Sequence, residues 1–288
     1  MRIAASLCLA SALLAPHAFA QGTPPSCQIL DGTETPAWTA NMGYTANAKV
    51  QSANSSDVAV WSVDGGGGLY YWRTDSGDWD LSGAYDLRIL DGSGGANLPD
   101  RLAALRLDLA YVLRNMDGSA LKVDIFPGIY SDTEDLSLDD LYLPVQVLAI
   151  QAFNPQMSGL IGIAVYPGFD HTFDPRFGVR FAPVENLRVD VMYPESRVTF
   201  RPDELELYAG VRHTAVNEFR LEDGDARKSI GFRETRAFVG AAWPLSDLLR
   251  FNAEVGYAFN REIEFKRAEA DRDWDEAFLI RVGIGGPI

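Results

Sequence analysis

The feature that most constrains this fold is an alternation of apolar and polar residues with a period of two. It is clearest in the segment 250–260. The apolar positions there are Phe251, Ala253, Val255, Tyr257 and Phe259, and the intervening positions are Arg250, Asn252, Glu254, Gly256, Ala258 and Asn260. Because successive side chains of a strand point to opposite faces, this segment predicts a strand with one apolar face and one wet face.

Similar alternation recurs along most of the chain. Further alternating segments begin at Trp79, Leu105, Leu121, Phe177 and Leu187. Residues that favour tight turns separate the segments, as Asp117-Gly118 does. The sequence shows no convincing helical apolar stripe. We therefore predict an all-β, up-and-down antiparallel barrel with about ten to twelve strands.

Two regions leave the strand count open, and a third leaves open what the two faces of its strands contact. Pro194 and the stretch 213–218 each fit either a bend within one strand or a turn between two. From Val145 to Tyr166 the residues are apolar on both parities. That pattern fits a fully buried strand, or a strand whose inner face is small and apolar.

The first residues predict export. A positively charged N-terminus, an apolar run and then Ala18-Phe19-Ala20 are typical of a cleaved signal peptide over residues 1–20. Residues 21–57 are polar without a sustained period, so we expect a poorly ordered leader there and the barrel over 58–288. The run Gly65–Gly68 lacks the Lys-Ser/Thr ending and the following helix of a phosphate-binding loop, and it is interpreted as a flexible turn.

Alternation alone also fits a soluble, secreted β-sandwich that binds a ligand. Two features favour a transmembrane barrel. The apolar face carries aromatic residues near strand ends, as the interfacial girdles of a membrane barrel require. These are Trp79, Tyr111, Tyr193, Trp243, Tyr257, Phe259 and Phe278. The polar face mixes Arg with Asp and Glu, which suits a lumen where charges pair or hold water.

Charged residues of one parity are the candidates for this lumen. They are Arg106, Asp108, Arg114, Arg176, Arg180, Arg188, Asp190, Arg250 and Glu254. If they pair across the interior the barrel is structural, and if they line water it conducts small solutes. A barrel of about ten strands is largely filled by its own side chains, so we expect low or no conductance.

Several strand-and-turn motifs fit a known kind of domain. They are the runs 187–194, 197–200, 207–210, 230–233, 256–261 and 263–265. Together they resemble an uncharacterised family of bacterial outer-membrane β-barrel domains, over most of the chain after about Trp79. The resemblance implies a barrel in the outer membrane of a Gram-negative-type bacterium, and it brings no catalytic residue. The alternating end, Phe278–Gly286, resembles the terminal strand that a barrel-assembly machinery reads, although the chain closes on Ile288 rather than an aromatic residue.

Other chemistry has weak support in the sequence. His171 beside Asp170, or His213 beside Thr214, would be the base of a barrel-embedded hydrolase, but no nucleophile stands at an interpretable spacing. The acidic loop 132–140 offers oxygen ligands for calcium without the glycine-centred spacing of a calcium loop. We expect no metal site and no cofactor. A formal net charge of −15 argues against a nucleic-acid partner.

The leading hypothesis is a non-enzymatic outer-membrane barrel that is structural or forms a narrow passive pore. Its expected partners are outer-membrane lipid, the assembly machinery and, where the lumen is wet, small solutes. The hydrolase and the soluble sandwich are the alternatives.

Overall fold

The computed structural model describes residues 38–51, 56–115, 117–134, 140–214, 218–221, 229–266 and 271–286. These residues form eighteen strand segments in one sheet and a short helix, α1 (Ser93–Ala96). The segments are β1 (Trp38–Val50), β2 (Ser56–Thr74), β3 (Gly77–Asp91), β4 (Arg101–Arg114), β5 (Ser119–Ile125), β6 (Gly128–Ser131), β7 (Leu141–Tyr142), β8 (Val145–Asn154), β9 (Met157–Val165), β10 (Phe173–Val184), β11 (Leu187–Tyr193), β12 (Glu195–Phe200), β13 (Glu206–Thr214), β14 (Glu218–Arg220), β15 (Ser229–Ser246), β16 (Leu249–Phe265), β17 (Arg272–Trp274) and β18 (Ala277–Gly286). Within the described residues, no helix has the length and apolar character needed to cross a bilayer.

The sheet closes on itself. β1 pairs antiparallel with β18, with Trp38 opposite Gly286 and Thr45 opposite Leu279. Four wall strands are each interrupted and consist of two segments: β5 with β6, β7 with β8, β13 with β14, and β17 with β18. The described segments therefore build a closed antiparallel barrel of 14 wall strands.

The all-β barrel is confirmed, and the expected ten to twelve strands are too few. Residues 38–50, which we expected within a disordered leader, form β1 because Ala40, Met42 and Tyr44 alternate with small polar residues. The earlier part of that leader and the expected signal peptide lie outside the described residues.

The glycine run is also strand and not a turn. Gly65–Gly68 lie within β2, and Gly65 pairs with Tyr85 on β3. A Cβ on Gly65 would lie 2.8 Å from the Tyr85 hydroxyl oxygen, so the missing side chain makes room for the tyrosine ring. Glycine here allows a close approach between neighbouring strands.

The three regions that are ambiguous in the sequence have a definite structure. Pro194 is a turn between β11 and β12, whereas β13 and β14 both pair with β15 and continue one wall strand. Residues 145–165 form the hairpin β8–β9, whose lumen side carries small or apolar residues such as Ile150 and Ala152. The second interpretation of that doubly apolar segment is the correct one.

The two ends of the barrel differ in their connections. At the end that holds Trp38 and Gly286, which we call the turn end, the connections are the short stretches 75–76, 115–118, 155–156, 185–186, 201–205 and 247–248. At the opposite end, which we call the loop end, the connections 92–100, 132–140, 166–172, 221–228 and 266–271 are longer, whereas 51–55 and Pro194 are short. Short turns at one end and long loops at the other are typical of outer-membrane barrels.

The barrel narrows at the loop end. Ser131 of β6 forms a parallel bridge with Arg220 of β14, and the Asp132 N–H donates to the Arg220 carbonyl at 3.0 Å. These segments belong to wall strands that are far apart around the barrel. The bridge closes a smaller ring of nine segments, β1, β2, β3, β4, β6, β14, β15, β16 and β17. We call this ring the collar.

Apolar side chains fill the collar. Phe219, Ile230 and Ile263 are fully buried within it, and Phe232 and Trp274 pack against each other with ring centroids 6.1 Å apart. The cluster also contains Ala48, Val50, Val58, Leu90, Ala96, Leu98, Leu102, Tyr130, Phe169, Leu221, Phe265 and Ala277. The main hydrophobic core of this protein thus lies at one end of the barrel and closes its centre.

Candidate functional site

The outer face of the wall is exposed and apolar. Val239, Val255 and Ile280 lie side by side on β15, β16 and β18, and each is more than half exposed. Their neighbour in sequence, Glu254, is only 6% exposed, so adjacent residues of one strand face opposite sides. A continuous exposed apolar surface of this kind marks a contact with lipid or protein.

Aromatic residues border this apolar band at both ends. Towards the turn end, Trp79 lies 4.6 Å from Tyr111 and Trp243 lies 4.7 Å from Phe251, measured between ring centroids. Towards the loop end the pairs are Tyr257 with Phe278 at 5.0 Å, Phe177 with Tyr193 at 5.7 Å and Tyr44 with Trp61 at 4.5 Å. Beyond that border the outward residues of β15 and β16 become charged, with Arg233 paired to Glu262.

The inner face encloses a cavity of about 2210 Å³. Six of the nine predicted lumen residues line it: Arg106, Asp108, Arg114, Arg176, Arg180 and Arg188. Asp190 binds two of them, at 2.6 Å from Arg180 and 2.9 Å from Arg188. Arg250 lies 3.2 Å from Glu206, and Glu254 is buried on the same side of β16.

Ion pairs hold much of this charge against the wall. Glu206 accepts hydrogen bonds from Arg197, from Arg201 at 3.0 Å and from Arg250 at 3.2 Å. Asp78 binds Arg73 at 2.8 Å and Arg114 at 2.9 Å in the same way. Because most of these carboxylates are nearly buried, the pairs fix the arginines along the strands instead of leaving them extended into the cavity.

A short segment folds over part of the loop end. It connects β9 to β10 and comprises Tyr166–Thr172, and we call it the strap. Its base is closed by the Tyr166 N–H, which donates to the Thr172 carbonyl at 2.8 Å. Phe169 at its tip is 4% exposed and lies 4.4 Å from the ring of Tyr142 and 5.4 Å from that of Tyr130.

Polar contacts join the strap to distant strands. The Asp170 N–H donates to Glu218 at 2.7 Å, and the Lys266 ammonium donates to the Gly168 carbonyl at 2.7 Å. His171 Nε2 lies 2.6 Å from Glu264. Burial raises the pKa of the Glu218 carboxyl above its ordinary value.

The two candidate histidines, His213 and His171, lie on the outside of the wall and the collar. His213 neighbours the inward Arg212 and therefore faces outwards, where Nδ1 lies 3.1 Å from the Thr235 hydroxyl and the ring packs on Tyr193. The hydroxyl is a nucleophile that sequence spacing did not reveal, because Thr235 lies on the neighbouring strand. In the described residues the contacts of His213 include no carboxylate that would orient the ring, and the lumen is on the other face.

The acidic loop is described only in part. Asp140 is buried and pairs with Arg220 at 3.5 Å, and the Asp132 carboxylate accepts the Glu134 N–H at 3.2 Å. Asp135 and Asp139 lie outside the described residues. Within the described part of the chain, no group of three or more potential ligands is placed to hold a metal ion.

Comparison with known proteins identifies the family. Residues 91–278 match the family described as "Domain of unknown function (DUF6268)". The chain belongs to the DUF6268 family. The expected membership of an uncharacterised barrel family is thereby confirmed. No curated protein matches this DUF6268 chain by sequence.

The DUF6268 barrel is similar in architecture to solved outer-membrane proteins. The NanC porin is 8% identical, with a TM-score of 0.42 over 88% of this chain and 100% of that one. An outer-membrane channel from Pseudomonas putida F1 is 13% identical, with a TM-score of 0.42 over 87% and 96%. The P. putida toluene transporter TodX is 7% identical, with a TM-score of 0.44 over 92% and 93%.

Proposed function

We propose that this protein is a non-enzymatic outer-membrane barrel that forms a narrow passive pore. The supporting observation is the division of one closed wall into an exposed apolar outer face and a charged inner face around a cavity of about 2210 Å³. The apolar band lies in the bilayer, and the aromatic pairs at its two borders lie at the interfaces. The turn end faces the periplasm, as in barrels whose short turns lie there.

The pore is narrow for two reasons. Barrels of about eight strands are filled by their side chains, whereas those with 16 to 18 strands leave an aqueous channel, and 14 lies between these cases. The collar also fills the centre of the loop end with apolar side chains. Small solutes therefore reach the outside only beside the collar, and conductance is low.

Location and partners follow from this function. Export by the signal peptide over residues 1–20 delivers the chain to the envelope of a Gram-negative-type bacterium, and a barrel-assembly machinery inserts it into outer-membrane lipid. The alternating β18 is the segment that this machinery reads. The soluble sandwich is disfavoured because the exposed row Val239, Val255 and Ile280 would then face water.

Reconstitution into planar bilayers tests the pore. We expect small unitary currents from purified wild-type protein, and their absence would contradict a pore. Large, stable, porin-sized steps would contradict a narrow lumen. The hydrolase alternative is tested in parallel with an ester substrate and His171→Ala and His213→Ala variants. Turnover by the wild-type protein that one of these variants abolishes would contradict a non-enzymatic barrel.

A further inference from the structure

At the loop end, the collar includes only some of the strand segments of the wall. Its ring crosses directly from β6 to β14 and leaves out the segments from β7 to β13. A second opening is therefore bounded by β6 and β14 on one side and by the segments from β7 to β13 on the other. The main cavity reaches this opening, because it is lined by Arg176 and Thr214 towards the loop ends of β10 and β13 and by Tyr166 at the base of the strap. We call this opening the side mouth.

The strap spans the side mouth. It starts from β9 and β10 on one border, and its tip residue Phe169 packs on Tyr130 of β6 and Tyr142 of β7. Its backbone reaches β14 on the other border through the bond from the Asp170 N–H to Glu218. The covered opening is thus tied to both of its edges.

The strap can move without breaking the wall. Its backbone-to-backbone hydrogen bonds are internal, from Tyr166 N–H to Thr172, from Phe169 N–H to Tyr166 and from Thr172 N–H to Asp170. Its links to β14 and β16 are the hydrogen bonds and ion pairs of Gly168, Asp170 and His171 with Glu218, Glu264 and Lys266. The side chains of His171 and Lys266 are 44% and 31% exposed, and partly exposed polar links of this kind contribute little to stability. The attachments that are buried are the ring of Phe169 and the bond from Asp170 to Glu218.

We propose that the strap is a lid on the side mouth, and that solutes pass between the lumen and the outside beneath this lid, beside the filled collar. This proposal rests on the proposed pore function and names its route and its gate. The buried ring of Phe169 holds the lid closed, and the contacts of His171 and Lys266 fix the position of the lid on the collar.

A cysteine reporter tests the lid. In a Cys27→Ser background, Thr214→Cys places a thiol on the cavity wall near the side mouth. Intact cells are treated with a membrane-impermeant fluorescent maleimide, and the rate of labelling is measured. With the native strap labelling is slow. Phe169→Ala removes a buried aromatic contact and is expected to raise the rate at least about tenfold.

Matched variants separate the lid from general loosening. Leu102→Ala removes a fully buried apolar side chain of the collar on β4, away from the strap's contacts with β14 and β16, and leaves the rate unchanged. The double variant His171→Ala/Lys266→Ala keeps Phe169 and raises the rate less than Phe169→Ala does. Folding of each variant is judged by the faster mobility of the unboiled protein on a gel. If Phe169→Ala fails to fold, the double variant tests the lid in its place.

A second reporter makes the two proposals distinguishable. Ala182→Cys lines the cavity near the turn end, and it is labelled in detergent-solubilised protein. If Ala182→Cys is labelled and Thr214→Cys is labelled rapidly while the strap is native, the lid is contradicted and the proposed pore stands. The same holds if no strap variant changes the rate. If Ala182→Cys in folded protein is not labelled at all, the lumen is not open and the pore itself fails.

Discussion

Val255→Arg is the substitution that most sharply tests the orientation of the wall. Val255 is 51% exposed and lies on β16 between the aromatic borders at Phe251 and Tyr257. Its partners in register are Val239 and Ile280, both exposed and apolar. An arginine there faces hydrocarbon, which costs about 2–4 kcal/mol near the bilayer midplane. That cost lowers the equilibrium constant for folding by about 30- to 1,000-fold.

The control is Asn252→Arg on the same strand. Asn252 pairs with Ala242 and Gly283 and has the parity of Glu254, so its side chain faces the lumen, where an arginine can remain hydrated. Urea-unfolded variants are folded into lipid vesicles, and the fraction that migrates faster when unboiled is measured against urea concentration. We expect Val255→Arg to shift the midpoint strongly and Asn252→Arg to shift it little. Equal shifts, or the reverse order, would refute the assignment of the two faces.

Three further predictions concern packing and charge. Glu206→Gln replaces the carboxylate that binds three arginines with an uncharged amide. It should lower the free energy of unfolding by about 3 kcal/mol in urea titrations. An unchanged midpoint would show that these arginines and Glu206 are solvated. A Cβ at Gly240 would overlap the Tyr208 ring, so Gly240→Ala should cost about 1–3 kcal/mol, whereas Gly231→Ala, with its nearest neighbour at 3.7 Å, should cost less; equal costs would contradict this packing. Because burial raises the pKa of Glu218, its contribution favours folding at low pH and is lost as the pH rises from the ordinary value of 4.5 through the raised pKa. Glu218→Gln should remove that slope from the pH dependence of the thermal midpoint, and an unaltered slope would exclude this group.

The faces of the strands could be predicted from the sequence because they depend on local parity. Val255 and Asn252 differ by an odd number of positions, and that alone places them on opposite sides. The ion-pair partners could not be predicted, because Glu206 binds arginines from β12, from the turn that follows it and from the distant β16. The first strand escaped detection because its inward residues, Asn41 and Thr45, are small and polar and its alternation is short.

The collar and the strap have no local signal at all. The bridge between Ser131 and Arg220 joins segments 89 positions apart, and neither segment has enough residues to show a period. Phe169 sits in a stretch of Gly, Asp and His that reads as an ordinary polar loop. Only the arrangement of the whole wall brings it against Tyr130 and Tyr142. Tertiary packing, rather than strand propensity, therefore determines how the loop end is closed.

Electrophoretic mobility tests most directly whether this chain is a closed barrel embedded in a bilayer. The mature protein is extracted from membranes with detergent and run on a gel with and without boiling. A closed barrel of 14 strands with an apolar outer face stays folded in detergent until it is boiled, so the unboiled band is expected to migrate faster. Protein that is soluble in buffer without detergent, with the same mobility before and after boiling, would contradict the account.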